Sequence, residues 1–380
     1  MRLVYCILSV SHPGGMERVL FNKVNWLSRN GYEIHIVTTD QKGQQPFFPF
    51  PDNVVFHDLD INYMDDKHLG VMSKTMGYLK RRKLHRQRLT DLLMSLRPDI
   101  TISLYPCESS FIPKLKDGSK KVLELHFNRY FRLQYGRKGF MGIIDRMRGV
   151  TDKFLVQKFD RFVVLTESDR KNWGNINNIR VISNAVISVK RQCSELTNKR
   201  VIAVGRLDYQ KGFDRLIDIW HLLIETYPQV ADWKLDIFGQ GEWKEYLENK
   251  IDKYCLKDKV MINNPSNNIN EEYAESSILA MTSNYEGFGM VLVEAMSCGV
   301  PCVAFDCPCG PSDIIDNGIN GLLVTPGDNN AFADALFQLM ESSQKRLFMG
   351  KNAMVVVDRY SEDKVMAQWM NLFNELCLER

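Results

Sequence analysis

The chain has 380 residues, enough for two domains that each bury a core, which excludes a peptide or a small disulfide-stapled module. With 44% hydrophobic and 25% charged residues, 24 Gly and 13 Pro, it lies in the globular range and outside disordered, collagenous or coiled-coil compositions. The net charge of +3 hides an asymmetry: residues 1–190 hold 31 Lys and Arg against 18 Asp and Glu, residues 191–380 only 18 against 28. Such a split points one half at something anionic. No apolar run is long enough to span a membrane, and Leu3 to Leu8 is too short for a signal-peptide core, so the chain is expected in the cytoplasm. Nine scattered cysteines read as reduced thiols, and the spacing of Cys298, Cys302, Cys307 and Cys309 is not that of a zinc module.

In chain order, the apolar run Leu3–Val10 predicts a buried parallel strand, and Val19, Leu20, Val24 and Leu27 predict a helix over Met16–Arg29. Strands are then expected at Glu33–Thr39, Val54–Leu59, Ile100–Leu104, Lys121–Phe127, Phe162–Thr166 and Arg180–Ser183. Helical stretches lie over about 68–96 and up to Val156. Ser188–Lys199 is polar and reads as a linker. Beyond it, Val201–Val204, Lys234–Phe238, Val260–Ile262, Ile278–Thr282, Pro301–Phe305 and Gly321–Val324 predict strands. Helices are expected at Phe213–Ile224, Trp243–Ile251 and Val291–Ser297, with two or three more at the end. Strands alternating with helices imply right-handed crossovers and parallel sheets covered on both faces. The fold class is therefore α/β, two doubly wound Rossmann-like domains, with ligands outside the carboxyl ends of the strands and a cleft between the domains.

Three stretches carry chemistry. The loop after the first strand, Ser11-His12-Pro13-Gly14-Gly15-Met16-Glu17, runs into a helix N-terminus and reads either as an anion site or as a plain tight turn. After Val201–Val204 comes Gly205-Arg206-Leu207-Asp208-Tyr209-Gln210-Lys211-Gly212, with a guanidinium fork and a point charge suited to a diphosphate, or else two solvated cations. After Ile278–Thr282, Glu286 stands in a loop with Gly287, Phe288 and Gly289, and Glu294 falls in the apolar helical run Val291–Met296. One carboxylate there suits sugar hydroxyls and the other ribose; the bland alternative is a dipole-favoured Glu plus a core-facing one satisfied by backbone.

The spacing Glu286-x7-Glu294 within EGFGMVLVEAMSCGVPCVA, preceded by GRLDYQKG and by GGMERV near the start, resembles retaining glycosyltransferases of family 4, which have the GT-B fold. The resemblance spans essentially the whole chain. It implies an N-terminal acceptor-binding domain over 1–185, a C-terminal nucleotide-sugar-binding domain over 199–359, and a terminal helix within 360–380 that packs back on the first. It also implies that Arg206 and Lys211 hold the donor diphosphate and that Gly15, with Gly14 beside it, approaches the donor from the N-terminal domain. Glu286 then lies at the donor sugar with Gly287 and the backbone of Phe288 and Gly289. Glu294 holds ribose, Gly205 opens the basic loop, and His126 lies against the sugar. The expected catalytic set is Glu286, His126, Arg206 and Lys211.

Two departures stand out: Asn184-Ala185-Val186 replaces the usual Asn-Gly-Val, and Cys309-Gly310-Pro311-Ser312-Asp313 replaces Gly-Gly-x-x-Glu. The second resembles the branch using UDP-activated hexoses or N-acetylhexosamines. The implied reaction is retaining transfer of a glycosyl group to a hydroxyl, with front-face attack, the leaving phosphate as base, and no cofactor or metal. Asp58-Leu59-Asp60 lies too far from the donor motifs to count as a metal-binding pair. A GT-B sugar-nucleotide epimerase and a GDP-mannose-dependent mannosyltransferase are the alternatives.

Residues 74–88 hold Lys74, Lys80, Arg81, Arg82, Lys83, Arg86 and Arg88 with no acid, and 129–148 interleave Arg129, Arg132, Arg137, Lys138, Arg146 and Arg148 with Tyr130, Phe131, Tyr135, Phe140 and Met141. Cations mixed with aromatics suit an anionic leaflet, so a saccharide or lipid-linked acceptor at the inner face of the cytoplasmic membrane is expected. No recognition module supports nucleic acid as a partner.

Overall fold

The structure is a computed structural model describing residues 1–68, 71–104, 108–133, 139–187, 193–266 and 268–379. Its first strands and helices are β1 (Arg2–Ile7), α1 (Gly15–Arg29), β2 (Glu33–Thr38), β3 (Val55–Asp58), α2 (Val71–Leu96), β4 (Ile100–Ser103) and β5 (Lys120–Glu124). Then follow α3 (Gly139–Val156), β6 (Arg161–Val164), α4 (Glu167–Trp173) and β7 (Ile179–Val181). The second series is β8 (Arg200–Val204), α5 (Phe213–Thr226), β9 (Lys234–Phe238), α6 (Lys244–Lys253), β10 (Val260–Asn263), α7 (Ile269–Ala274) and β11 (Ile278–Met281). It continues with α8 (Met290–Ser297), β12 (Cys302–Phe305), α9 (Pro311–Ile314), β13 (Gly321–Val324), α10 (Asn329–Glu341), α11 (Ser343–Val357) and α12 (Glu362–Leu378).

Among the described residues these strands form two wholly parallel sheets, ordered β3-β2-β1-β4-β5-β6-β7 and β10-β9-β8-β11-β12-β13. Tyr5 stands opposite both Ile36 and Ile102, and Val201 opposite Leu235 and Ile278. The two-domain α/β expectation is met. Leu3, Val4 and Tyr5 are fully buried because helices cover both faces of the sheet, which is why that strand reads as a continuous apolar run.

One compact unit comprises Met1–Leu165, Arg170–Ile182 and Met366–Arg380, and the other comprises Thr166–Asp169 and Ser183–Val365. The first core is built on Leu89, Leu93, Leu123, Phe162 and Trp173, the second on Leu216, Trp220, Leu235, Phe305 and Phe332. Within the first unit α12 contributes Trp369 and Phe373, both buried, with Phe373 edge-on to Tyr32 at 6.3 Å.

Several expectations shift. The strand expected over Lys121–Phe127 ends at Glu124, because the chain turns about Asn128, whose side chain accepts the Tyr130 amide at 2.9 Å. The run expected as a linker is no free tether over residues 193–199. Ser194 donates its amide to the Cys298 carbonyl (2.8 Å) and its hydroxyl to the Ser276 carbonyl (2.7 Å), and Leu196 is buried. Residues 188–192 lie outside the described residues, as do Tyr135, Arg137 and Lys138. The side chains of Lys74, Phe140 and Met141 lie outside them too.

Candidate active site

In the second unit the strand order reverses between β8 and β11, the switch point where an open parallel sheet binds ligands. The loops leaving these two strands are 205–212 and 282–289, and they brace each other. The Asn284 amide donates to the Gln210 carbonyl at 2.7 Å, the Gln210 side chain donates to the Tyr285 carbonyl at 3.2 Å, and the Thr282 hydroxyl donates to the Gly212 carbonyl at 3.0 Å. From the other side, Gly205 donates to the Phe238 carbonyl at 3.0 Å. A Cβ at Gly239 would stand 1.9 Å from the Gly205 carbonyl oxygen, so the loop after β9 fits only without a side chain.

On this frame Lys211 Nζ lies 2.7 Å from Glu286 Oε1, and the Ser283 hydroxyl donates to the same oxygen at 2.6 Å. Glu286 is only 5% exposed, so cation and hydroxyl are what make a buried carboxylate tenable there. Burial, reinforced by Glu286, pushes the neighbouring Cys307 thiol up, so it is no nucleophile. Arg206 is exposed, donating to Gln210 Oε1 at 2.7 Å and lying 3.2 Å from Asp208 Oδ2. The Lys211 stem lies over Gly205, where a Cβ would come within 2.9 Å of its Cγ.

Gly289 caps α8 at φ +93°, placing the free amides of the helix start beside Gly287 and Phe288. Phe288 is buried, its ring edge-on to Tyr360 at 5.3 Å. Gly310 stands at φ +114°, and a Cβ there would sit 2.1 Å from the Phe288 carbonyl oxygen, so only glycine fits. Glu294, half-buried on α8, accepts from the Tyr273 hydroxyl at 3.2 Å, a side-chain partner where the bland alternative had backbone.

In the first unit the order reverses between β1 and β4, and the loop after β1 carries Gly14 and Gly15 into α1. A Cβ at Gly14 would meet only the tip of the flexible Glu17 side chain, at 1.9 Å, and at Gly15 it would meet nothing within 4 Å. His126 follows β5 by two residues, with Nε2 3.2 Å from Glu124 Oε1. The same oxygen binds Lys23 Nζ, and both partners of that pair are buried. Burial alone would raise the Glu124 carboxyl, but Lys23 and His126 outweigh it and hold it at about 2. Burial pushes the Glu17 carboxyl up.

The structure thus gathers Gly205, Arg206, Lys211 and Glu286 at one switch point, with Gly287, Phe288, Gly289 and Glu294 on the segment that follows. Gly14, Gly15 and His126 belong to the first unit. Sequence reading missed Ser283, Tyr273, Glu124, Lys23 and the Gly239–Gly241 turn; of these only the Gly-x-Gly after β9 carries a local signal. Among the described residues no group of three or more His, Cys, Asp or Glu could hold a metal ion.

The sequence model for Glycosyltransferase Family 4 matches residues 13–188, and that for glycosyl transferases group 1 matches residues 188–355. The amylovoran biosynthesis glycosyltransferase AmsD of Erwinia amylovora is 30% identical over 394 aligned residues, covering 98% of this chain and 99% of that one. The chain belongs to glycosyltransferase family 4. A glycosyltransferase of Haemophilus influenzae is 28% identical over 377 residues, covering 98% of this chain and 99% of its own. The crystal structure of TarM, 18% identical, superposes over 98% of both chains with a TM-score of 0.79, which places this glycosyltransferase in the GT-B fold. In this family 4 enzyme, a cation, a buried carboxylate and a helix N-terminus converge where one sheet opens, a set that can neutralise a phosphate and grip hydroxyls together.

Proposed function

We propose that the enzyme is a retaining hexosyl- or N-acetylhexosaminyltransferase that uses a UDP-sugar and builds a surface polysaccharide or related glycan. The Lys211–Glu286–Ser283 cluster at the β8/β11 switch point carries the reading. In the free enzyme Lys211 and Glu286 neutralise each other. When donor enters, Lys211 and Arg206 turn to the diphosphate, the α8 amides donate to a phosphate oxygen, and Glu286 takes sugar hydroxyls. Glu294 takes the ribose. Gly15 and His126 act on the donor diphosphate and sugar respectively.

As the anomeric C–O bond breaks, positive charge grows at carbon and negative charge on the leaving UDP, and preorganised cations lower that barrier most. The acceptor hydroxyl attacks from the face the phosphate leaves, forming the new C–O bond and passing its proton to a phosphate oxygen. The chain's own cations supply the charge neutralisation, so the reading needs no metal, and activity is expected to persist in EDTA. Support for the substrates comes from the names of similar proteins: AmsD acts in amylovoran biosynthesis, and TarM has been crystallised with UDP.

The acceptor is read as a saccharide or lipid-linked saccharide at an anionic membrane surface. The structure redraws the basic patch. Arg82 donates to Ser110 Oγ (2.9 Å), Arg88 to the Asp60 carbonyl (3.1 Å) and Arg132 to Asp152 (2.8 Å), while Arg129 stacks on Trp173 (4.1 Å). These four serve the fold. What α3 presents instead is Ile143, Met147, Val150 and Phe154, each 55–64% exposed along one stripe, flanked by exposed Arg146 and Arg148. Asp145 and Asp152 are buried on the opposite side. A helix with that pattern suits the interface of an anionic bilayer.

The test is incubation of UDP-sugar with and without acceptor, read by proton NMR of the anomeric signal. An α-linked product from an α-linked donor, formed only with acceptor, supports the reading; inversion, or an altered sugar without acceptor as an epimerase would give, contradicts it.

A further inference from the structure

Beside His126 stands a carboxylate that none of the steps above uses. Glu124, the last residue of β5, is 1% exposed. One of its oxygens binds both His126 Nε2, at 3.2 Å, and Lys23 Nζ from α1. Its other oxygen, Oε2, is buried and has no hydrogen-bond partner among the described residues. Lys23 is 6% exposed and is roofed by Trp369 of α12, whose ring centroid lies 3.7 Å from Nζ. A buried carboxylate needs one countercharge, and Lys23 supplies it, so nothing obliges the imidazole to carry a second. With an anion on Nε2, the neutral ring keeps its hydrogen there and its lone pair on Nδ1.

We propose that Glu124 is the positioning residue of His126, fixing the ring as the Nε2–H form so that Nδ1 accepts from a donor-sugar hydroxyl, while Lys23 supplies the countercharge of the carboxylate. The proposal rests on the reading of His126 as a donor-sugar contact. The sequence hides the arrangement: Glu124 and Lys23 are 101 positions apart, and Trp369 comes from the far end of the chain. Among the described residues, the titratable groups that face this set include Glu17 of α1, which feels both His126 and His12 of the loop after β1, and Tyr5 of β1, whose buried hydroxyl feels the charge of Glu124.

Two-bond proton–nitrogen NMR on the full chain with 15N-labelled histidine tests this, with His126 assigned by its absence in His126→Gln. The wild type is expected to show a protonated Nε2 and an unprotonated Nδ1 at neutral pH. Glu124→Leu, which removes the acceptor, should let the Nδ1–H form appear in the same spectrum. In the transfer assay Glu124→Gln should lose on the order of tenfold in kcat, with donor KM moving less, and Lys23→Met/Glu124→Gln should regain part of the loss. A wild-type ring protonated on Nδ1, or a tautomer left unchanged in Glu124→Leu, overturns the proposal. The wild-type spectrum decides alone should Glu124→Leu not fold. If the spectra come out as expected while His126→Gln transfers at the wild-type rate, the ring is positioned as described but the donor-contact role of His126 is wrong.

Discussion

Glu286 is a buried anion whose one oxygen takes both an ammonium and a hydroxyl, and that geometry separates stability from chemistry. Removing one partner of such a pair leaves the other charge desolvated, at a cost of about 3 kcal/mol where burial is complete and less for Lys211, which is 15% exposed on its side chain. Lys211→Met and Glu286→Gln should each lower the thermal midpoint and each cut kcat/KM by roughly 100-fold or more. The double variant Lys211→Met/Glu286→Gln should recover much of the midpoint by scanning calorimetry and none of the activity. Recovered activity would show that the pair is structural. Lys211 and Glu286 were legible in the sequence because each stands just past a strand beside glycines. Ser283 was not, since nothing marks one serine's hydroxyl as aimed at a carboxylate three residues on, and Glu124 was not, since its countercharge is remote in sequence.

Among elements, the parallel strands were the most legible, because a strand buried on both faces must be apolar without interruption. Their ends were less so: β1 stops at Ile7, though Val10 is equally apolar. The short helix α4, Glu-Ser-Asp-Arg-Lys-Asn-Trp, was invisible to periodicity because charge fills it. In α2, His85 is buried with Nδ1 3.1 Å from the Tyr63 hydroxyl and Phe111 edge-on at 5.0 Å, and burial lowers it from 6.5 to about 4. Below pH 6.5 the unfolded chain then binds a proton that the native one refuses, so stability falls as pH drops from 6.5 towards 4, by about 3 kcal/mol in all. His85→Phe should flatten that part of the stability–pH curve; an unchanged slope would assign it elsewhere. At Gly310, held at φ +114° against the Phe288 carbonyl, Gly310→Ala should cost roughly 1–3 kcal/mol, read as a lower midpoint in urea. For α3, flotation with anionic vesicles should recover the protein with the lipid in low salt, and Met147→Glu/Phe154→Glu should leave it behind. Equal recovery of both would remove α3 from the membrane contact.

At the scale of the whole molecule, the net charge of +3 conceals a basic first half and an acidic second half, and the structure refines what that asymmetry means. Part of the positive charge is spent inside the first unit, where Arg82, Arg88, Arg129 and Arg132 hold elements together. The two-unit α/β plan was legible because it rests on repeated strand–helix alternation. The return of α12 was suggested by resemblance, and its reason emerges only from packing: Trp369 covers Lys23, and Arg161 meets Glu375 at 3.9 Å. Among the described residues no helix is long and apolar enough to cross a membrane, so membrane contact in this account rests on the surface of α3. The central claim is that Lys211 and its neighbours receive a nucleotide-diphosphate sugar. Thermal-shift titration of the wild type and Lys211→Met with UDP-, GDP- and ADP-sugars tests it most directly. A UDP-sugar should raise the wild-type midpoint with concentration, by the equivalent of about 2.7 kcal/mol at a hundred times its Kd, and leave Lys211→Met almost unmoved. A wild type that no nucleotide sugar stabilises, or a variant stabilised equally, would contradict it.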